Sequence, residues 1–222
     1  MQRFLSAIAR RAVAAAVAVA ASALIAMTLA AIPAAHAQQP PAKPALETAT
    51  FAGGCFWCVE VDFQKVDGVT GTVSGFMGGT LASPTYQQVS RGGTGHAEVV
   101  QITFDPAKVS YERLVYIFWR TIDPLDAGGQ FCDRGDSYRT AIFTHSGEQQ
   151  KIATASKAAL EASGRFKAKI ATQIQSAGPF TAADDYHQNF HVKSPGRYAS
   201  YRAGCGRDAR VRAVWGAEAG GK

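Results

Sequence analysis

Phe51-Ala52-Gly53-Gly54-Cys55-Phe56-Trp57-Cys58-Val59-Glu60 is the stretch around which the chain is organised. A short apolar run ends in two glycines and a cysteine then opens a helix: strand, tight turn, helix. Glycine lets the backbone turn sharply and approach a ligand closely. A cysteine at a helix N-terminus feels the positive end of the macrodipole and several unpaired N–H groups, and both favour the thiolate. A cysteine beside Phe56 and Trp57 also fits a small buried hydrophobe. The Gly53-Gly54 lead-in and the second cysteine, Cys58, favour a reactive centre.

Upstream, Arg3, Arg10 and Arg11 precede an Ala/Val/Leu-rich run from Ala12 to Ala31, and Ala35-His36-Ala37 has small residues where a signal peptidase reads. Residues 1–37 are therefore expected to be a secretory signal peptide, cleaved after Ala37. The destination is an exported one, the periplasm in a Gram-negative cell. An uncleaved membrane anchor is the alternative, because the apolar run is long enough to span a bilayer. Residues 38–46 are Pro-rich and read as an extended linker, since proline removes donors and fixes φ.

Residues 1–37 carry three of the 23 basic side chains and no acidic one, leaving 20 against 17 and a net charge of +3. That balance gives no electrostatic case for nucleic acid. All four cysteines, Cys55, Cys58, Cys132 and Cys205, lie beyond the signal. They are too sparse for a disulfide-stapled miniprotein and point to redox chemistry or metal binding.

Working downstream, Glu47 to Ala52 is expected as a strand, Cys58 to Val66 as a helix and Val69 to Met77 as a second strand. Gly92 to Phe104 is a glycine-rich loop running into an alternating strand, which puts Glu98 on one face with Val100, Ile102 and Phe104. An acid there either reaches water at the strand end or is desolvated, which raises its pKa and makes it a hydrogen-bond donor or general acid. Ser110 caps a helix over Tyr111 to Thr121, Tyr138 to Thr144 reads as a strand, and Ser146 opens a capping box for a helix over Gly147 to Ser163. Lys169 to Gln175 reads as a further strand, and Pro195 onward as an irregular Gly/Arg-rich tail. Strands interleaved with helices give an α+β domain, helices packed on a mixed sheet.

A helix-start cysteine, an inward Glu98 and two tyrosines near glycine-rich loops, Tyr86 and Tyr138, suit reduction of a polarised S=O or peroxide bond. Gly54-Cys55-Phe56-Trp57, Pro84-Thr85-Tyr86, Gly95-His96-Ala97-Glu98, Gln130-Phe131-Cys132-Asp133-Arg134-Gly135, Tyr138-Arg139-Thr140-Ala141-Ile142 and Asp185-Tyr186-His187-Gln188 closely resemble the peptide methionine sulfoxide reductase A family. The resemblance runs from about Thr50 to Gly216. It implies a ferredoxin-like core with irregular ends and a catalytic domain over 47–216, followed by a flexible tail at 217–222. It also implies reduction of methionine S-sulfoxide, free or in proteins, through a cysteine sulfenic acid and an intramolecular disulfide. No metal or organic cofactor is implied, only an external dithiol reductant, a thioredoxin-like protein, and the chain is expected to be a monomer without stable membrane association once the signal is cleaved.

Carried over by position, Cys55 corresponds to the nucleophile, and Gly54, Phe56 and Trp57 to the substrate-binding wall. Glu98 corresponds to the acid that donates to the sulfoxide oxygen, Tyr86 and Tyr138 to hydroxyl donors beside it, and Asp133 to a further carboxylate. His187 is read as structural. The resolving cysteine stays open: Cys205, in a glycine-rich and mobile tail, is the first choice, with Cys58 and Cys132 as alternatives. Two rival functions are a thiol-disulfide oxidoreductase built on Cys55 and Cys58, and a structural zinc site using Cys58, Cys132, Cys205 and a histidine.

Overall fold

The computed structural model describes residues 45–221, so the signal expected over 1–37 and most of the linker lie outside the described residues. Strand β1 (Glu47–Gly53) leads into helix α1 (Phe56–Gln64), then β2 (Val69–Met77), a short α2 (Tyr86–Ser90), β3 (Ala97–Phe104) and α3 (Tyr111–Arg120). A two-residue hairpin follows, β4 (Gly129–Gln130) and β5 (Asp133–Arg134), then β6 (Thr140–Thr144), α4 (Gly147–Ala162), β7 (Gln173–Ser176) and β8 (Thr181–Ala182). The chain closes with α5 (Phe190–Lys193), α6 (Pro195–Gly204) and α7 (Arg207–Trp215).

The main sheet has the order β7-β6-β1-β3-β2-β8, antiparallel except for the parallel pair β6 and β7. Its middle four strands with α1 and α3 repeat the strand-helix-strand-strand-helix-strand order of a ferredoxin-like core, as the resemblance implies. β1 lies between β3 and β6, paired Phe51 to Val100 and Phe51 to Ile142. A strand hydrogen-bonded on both edges holds its last residues firmly, and the reactive stretch begins there.

Alternation explains the packing. Phe51, Val100, Ile102 and Phe104 share the face covered by α1 and α3. There Phe51 stacks between Phe63 of α1 at 5.0 Å and Phe118 of α3 at 4.9 Å. Burying three such rings removes several hundred Å2 of apolar surface from water, which stabilises the helix-on-sheet layer by several kcal/mol, at roughly 25 cal/mol per Å2. Ala52, Met77, Ala97, Val99 and Phe143 form a smaller apolar cluster of their own.

Some boundaries differ from the sequence-based expectation. α1 starts at Phe56, with Cys55 as its N-cap, rather than at Cys58. α2 is an addition to that expectation, although Thr85 and Gln88 form a capping box. Tyr138 lies in a 3-10 turn just before β6, and β7 begins at Gln173 rather than Lys169.

The larger correction concerns the C-terminus, expected as irregular and found as two helices. Pro195 occupies the first turn of α6, where its missing N–H costs nothing. Gly206, in the left-handed region at φ +65°, breaks the chain between α6 and α7. Neither helix carries a clean apolar stripe, so periodicity does not reveal them. What docks them is Trp215, 1% exposed, which donates to the Ile122 carbonyl at 2.8 Å, and the buried Arg207.

Candidate active site

The turn from β1 into α1 is built on glycines with no room for a side chain. Gly54 has φ +81°, and a Cβ on it would stand 2.6 Å from Gln130 Cβ. Gln130 cannot move aside cheaply. Fully buried, it accepts from the Asp123 N–H at 2.9 Å and donates to the Asp123 and Gly129 carbonyls at 2.8 and 2.9 Å. The Gly53 carbonyl accepts from Arg207 Nη1 at 3.0 Å, and Nη2 of the same guanidinium donates to the Thr121 carbonyl at 2.9 Å. Arg207 thus ties α7 to the end of β1 and the end of α3.

Cys55 sits at the N-cap of α1, 6% exposed. Burial pushes its thiol well above the ordinary range, reinforced by the hydrogen bond to Cys58 and the nearby Glu98. This desolvation outweighs the preference of a helix start for the thiolate. Cys58, one turn along, is lowered to about 7 by the hydrogen bond from Cys55, helped by the cations Arg207 and Arg202. Of the two, Cys55 holds its proton the more tightly.

Glu98 lies at the start of β3, 2% exposed, on the face the alternation assigns to it. Its Oε2 accepts from the Phe56 backbone N–H at 3.0 Å, which fixes the carboxyl against the first turn of α1. Burial pushes its pKa up to about 8, and Asp133 adds to the rise, while the Phe56 N–H opposes it. At neutral pH the group is mainly a carboxylic acid, with one oxygen accepting from Phe56 and an O–H left to donate.

Tyr86 and Tyr138 lie close enough to Glu98, Cys55 and Asp133 to feel their charges. Burial and then Glu98 raise both, Tyr86 to about 12, so both stay protonated as donors. Asp133, from β5, is raised by burial and accepts from the Tyr201 hydroxyl. Around these polar groups stands an aromatic wall. Trp57 stacks on Phe190 at 3.8 Å, meets Tyr201 edge-on at 5.6 Å, and donates from Nε1 to His187 Nδ1 at 3.2 Å. Phe56 lies 6.3 Å from Tyr86 and 5.2 Å from His187. His187 is buried and its pKa is lowered by desolvation, so it accepts from Trp57 as a neutral ring and orients the indole.

The structure thus gathers Gly54, Cys55, Phe56, Trp57, Cys58, Tyr86, Glu98, Asp133 and Tyr138 into one region, reached from several separate segments of the chain. Cys205 lies at the edge of the same region, its sulfur within 4.8 Å of Asp133 and of Cys132. It is bonded to Cys132 in a disulfide with a Cα separation of 4.8 Å, and it caps a helix instead of riding a mobile tail. Cys55 and Cys58 are the free cysteines, both buried. The disulfide also occupies two of the three thiols the zinc alternative requires. Tyr201 and Arg207 are two site residues that the sequence does not single out. A tyrosine and an arginine among many in the Tyr/Arg-rich C-terminal stretch carry no local mark, since what distinguishes them is contact with residues 68 and 154 positions away.

Comparison with known proteins agrees with this geometry. The family model described as peptide methionine sulfoxide reductase matches residues 47–219. A peptide methionine sulfoxide reductase MsrA from Listeria monocytogenes serotype 4a is 53% identical over 173 residues, covering 78% of this chain and 98% of that protein. One from Bacillus licheniformis is 52% identical over 170 residues, covering 77% and 94%. Among solved structures, reduced Mxr1 from Saccharomyces cerevisiae aligns with a TM-score of 0.64 at 30% identity, over 72% of this chain and 90% of that one. The methionine sulfoxide reductase A of Corynebacterium diphtheriae aligns with a TM-score of 0.62 at 32% identity, over 69% and 77%. A cysteine at a helix start facing a protonated acid and two phenols, in a chain with these relatives, belongs to the peptide methionine sulfoxide reductase family, thiol-dependent oxidoreductases that return methionine sulfoxide to methionine.

Proposed function

We propose that Cys55 is the nucleophile of this reaction, attacking the sulfur of methionine S-sulfoxide, free or within proteins. The observation that carries the assignment is the Phe56 N–H bond to a buried, protonated Glu98 beside Cys55. A carboxylic acid held in that way donates to an oxygen that gains negative charge as the S=O bond breaks, which is where a preformed donor lowers the barrier most. Tyr86 and Tyr138 supply two further neutral donors to the same oxygen. Phe56 and Trp57 offer the apolar wall for the substrate's methyl group, and Asp133 completes the polar side.

In the balanced step the Cys55 sulfur bonds to the sulfoxide sulfur, oxygen passes to Cys55 as a sulfenic acid, and methionine leaves reduced. Cys58 then attacks the Cys55 sulfur and releases water, forming a Cys55–Cys58 disulfide. Its neighbouring position and its lowered pKa support it as the resolving residue, ahead of Cys205 and Cys132, which hold each other. An external dithiol reductant of the thioredoxin-like class returns both thiols, and no metal or organic cofactor enters the sequence of steps. The Cys132–Cys205 disulfide also fits the exported, periplasmic destination read from residues 1–37, and with it a role in repairing oxidised exported proteins.

Cys55→Ser tests the assignment: it is expected to abolish conversion of methionine S-sulfoxide, and near-normal turnover would overturn it. Glu98→Ala is expected to lose more rate than Glu98→Gln, whose amide still donates one hydrogen bond. Equal and negligible losses would remove Glu98 from the reaction.

A further inference from the structure

Glu60 is a fully buried acid with no part in the reaction as assigned. It follows Trp57 by three residues on α1, so its carboxyl and the indole leave the helix on the same side. Its Oε2 accepts from the Asn189 backbone N–H at 2.9 Å, and its Oε1 accepts from the Thr72 hydroxyl at 3.4 Å. A carboxyl is costly to bury unless its oxygens are bonded, and these contacts answer that cost.

Asn189 stands between the two residues that face Trp57. His187 accepts from the indole Nε1 at 3.2 Å, and the Phe190 ring stacks on the indole at 3.8 Å. Between them the chain turns through the left-handed region, at φ +52° for Asn189, a conformation that a residue with a side chain keeps only when its surroundings hold it. The hold comes from two directions. Gln188 fixes the segment to β2, accepting from the Ser74 N–H at 2.9 Å and donating to the Ser74 carbonyl at 2.8 Å. Glu60 and Gln64 fix it to α1, Glu60 through the Asn189 N–H and Gln64 by donating from Nε2 to Asn189 Oδ1 at 2.7 Å. The helix that carries Trp57 therefore also carries the groups that set its two aromatic neighbours in place.

We propose that Glu60 is a positioning residue for the substrate wall: through the Asn189 N–H it holds His187 and Phe190 against Trp57, and so shapes the face that receives the methyl group of methionine sulfoxide. The inference rests on the reading of Phe56 and Trp57 as that wall. Because Glu60 acts through a backbone N–H, what position 60 must supply is a buried oxygen acceptor rather than a charge. Glutamine supplies one, and leucine, of similar size, does not.

The test is the single-turnover burst of methionine from methionine S-sulfoxide, followed without reductant over a range of sulfoxide concentrations in the full folded protein. Burst amplitude counts competent molecules, the half-saturating concentration reads how well the wall receives substrate, and the saturating rate reads the chemistry. Glu60→Leu is expected to keep the amplitude and to hold the saturating rate within about twofold, while the half-saturating concentration rises about tenfold or more, the scale on which a displaced positioning group is felt. Glu60→Gln is expected to restore the unsubstituted half-saturation, since its amide oxygen accepts from the same N–H. An unshifted half-saturation in Glu60→Leu, or a lowered amplitude as its one effect, would overturn the proposal, the second being what a merely structural role produces. Glutamine as damaging as leucine would also overturn it. Gln64→Leu removes the second tie from an exposed position and carries the test if Glu60→Leu does not fold. Its half-saturating concentration is expected to rise about threefold, the worth of one ordinary hydrogen bond, and no rise would count against the proposal in the same way. If the unsubstituted protein produces no burst, the assignment of Cys55 fails, whereas a normal burst whose half-saturation these substitutions leave in place removes only the role of Glu60.

Discussion

Replacing Glu98 by glutamine should change how the protein's stability responds to pH, and by an amount that follows from its burial. Glu98 is 2% exposed and its carboxyl stands at about 8 in the folded protein, against an ordinary value of 4.5. Between those two values the folded state holds a proton that the unfolded state has released, so unfolding is favoured as pH rises through that window. About 3.5 units correspond to roughly 5 kcal/mol, an upper figure because the surroundings relax around an ionised carboxylate and the Phe56 N–H still binds it. The penalty is absent below about pH 4.5, grows to about pH 8 and is constant beyond. The glutamine amide oxygen would accept from the Phe56 N–H equally well, and the side chain would not titrate. Urea unfolding of both proteins from pH 4.5 to 9 should therefore give a stability difference that moves in favour of Glu98→Gln by several kcal/mol. Other raised groups, such as Glu60 at about 7, remain in both proteins and cancel in the comparison. Parallel curves, with a difference that changes by less than about 1 kcal/mol, would refute a buried, protonated Glu98.

Two further substitutions test the frame that holds the site. Gly54→Ala should destabilise by about 2 to 3 kcal/mol in urea unfolding, from a side chain at φ +81° and a Cβ 2.6 Å from Gln130; a loss below about 0.5 kcal/mol would contradict the tight turn. Arg207→Met removes both ties to the Gly53 and Thr121 carbonyls and leaves the nearly buried Asp62 with only Arg202, 2.9 Å away. The expected cost is about 3 to 5 kcal/mol in the same assay. Cys58→Ser should still release methionine in a first burst and then stall in multiple turnover with a dithiol protein reductant. Sustained turnover would show that another cysteine resolves the sulfenic acid.

Much of this is legible in the sequence because local rules and global packing agree. The alternation of β3 by itself assigns Glu98 to the buried face, and the structure puts it there beside Val100, Ile102 and Phe104. The glycine lead-in marks the β1 to α1 turn, and Ser110 and Ser146 cap their helices, although Gln149 reaches back to the His145 N–H and not to Ser146, so the capping box is not closed. What local rules cannot supply is distance. The pairing of Cys132 with Cys205 spans 73 residues, and nothing near either cysteine excludes the other partners. The C-terminal helices escape sequence patterning because few side chains hold them and those few, Arg207 and Trp215, bury themselves against β1 and the residues that follow α3. The protonation of Cys55 departs from expectation for a related reason: a helix N-terminus is visible in sequence, but the desolvation that opposes it comes from elements folded over it.

That desolvation gives the site its order of events. A thiol held neutral by burial, with Glu98 also neutral, keeps two charges from being buried together. In the proposed reaction a polar S=O group enters to receive the Glu98 proton and the thiolate is used at once. The exposed Cys132 and the more deeply placed Cys55 and Cys58 are correspondingly different in kind, one pair at the surface and already oxidised, the other enclosed and reduced.

The most direct measurement of the central claim is peptide mapping by mass spectrometry after one equivalent of methionine S-sulfoxide, with thiols blocked at once and no reductant added. The expected products are a new Cys55–Cys58 disulfide together with an unchanged Cys132–Cys205 disulfide, and a trapped sulfenic acid on Cys55 when Cys58 is replaced by serine. An alkylated, unoxidised Cys55 after methionine has been released would contradict the mechanism, as would Cys55 joined to Cys205.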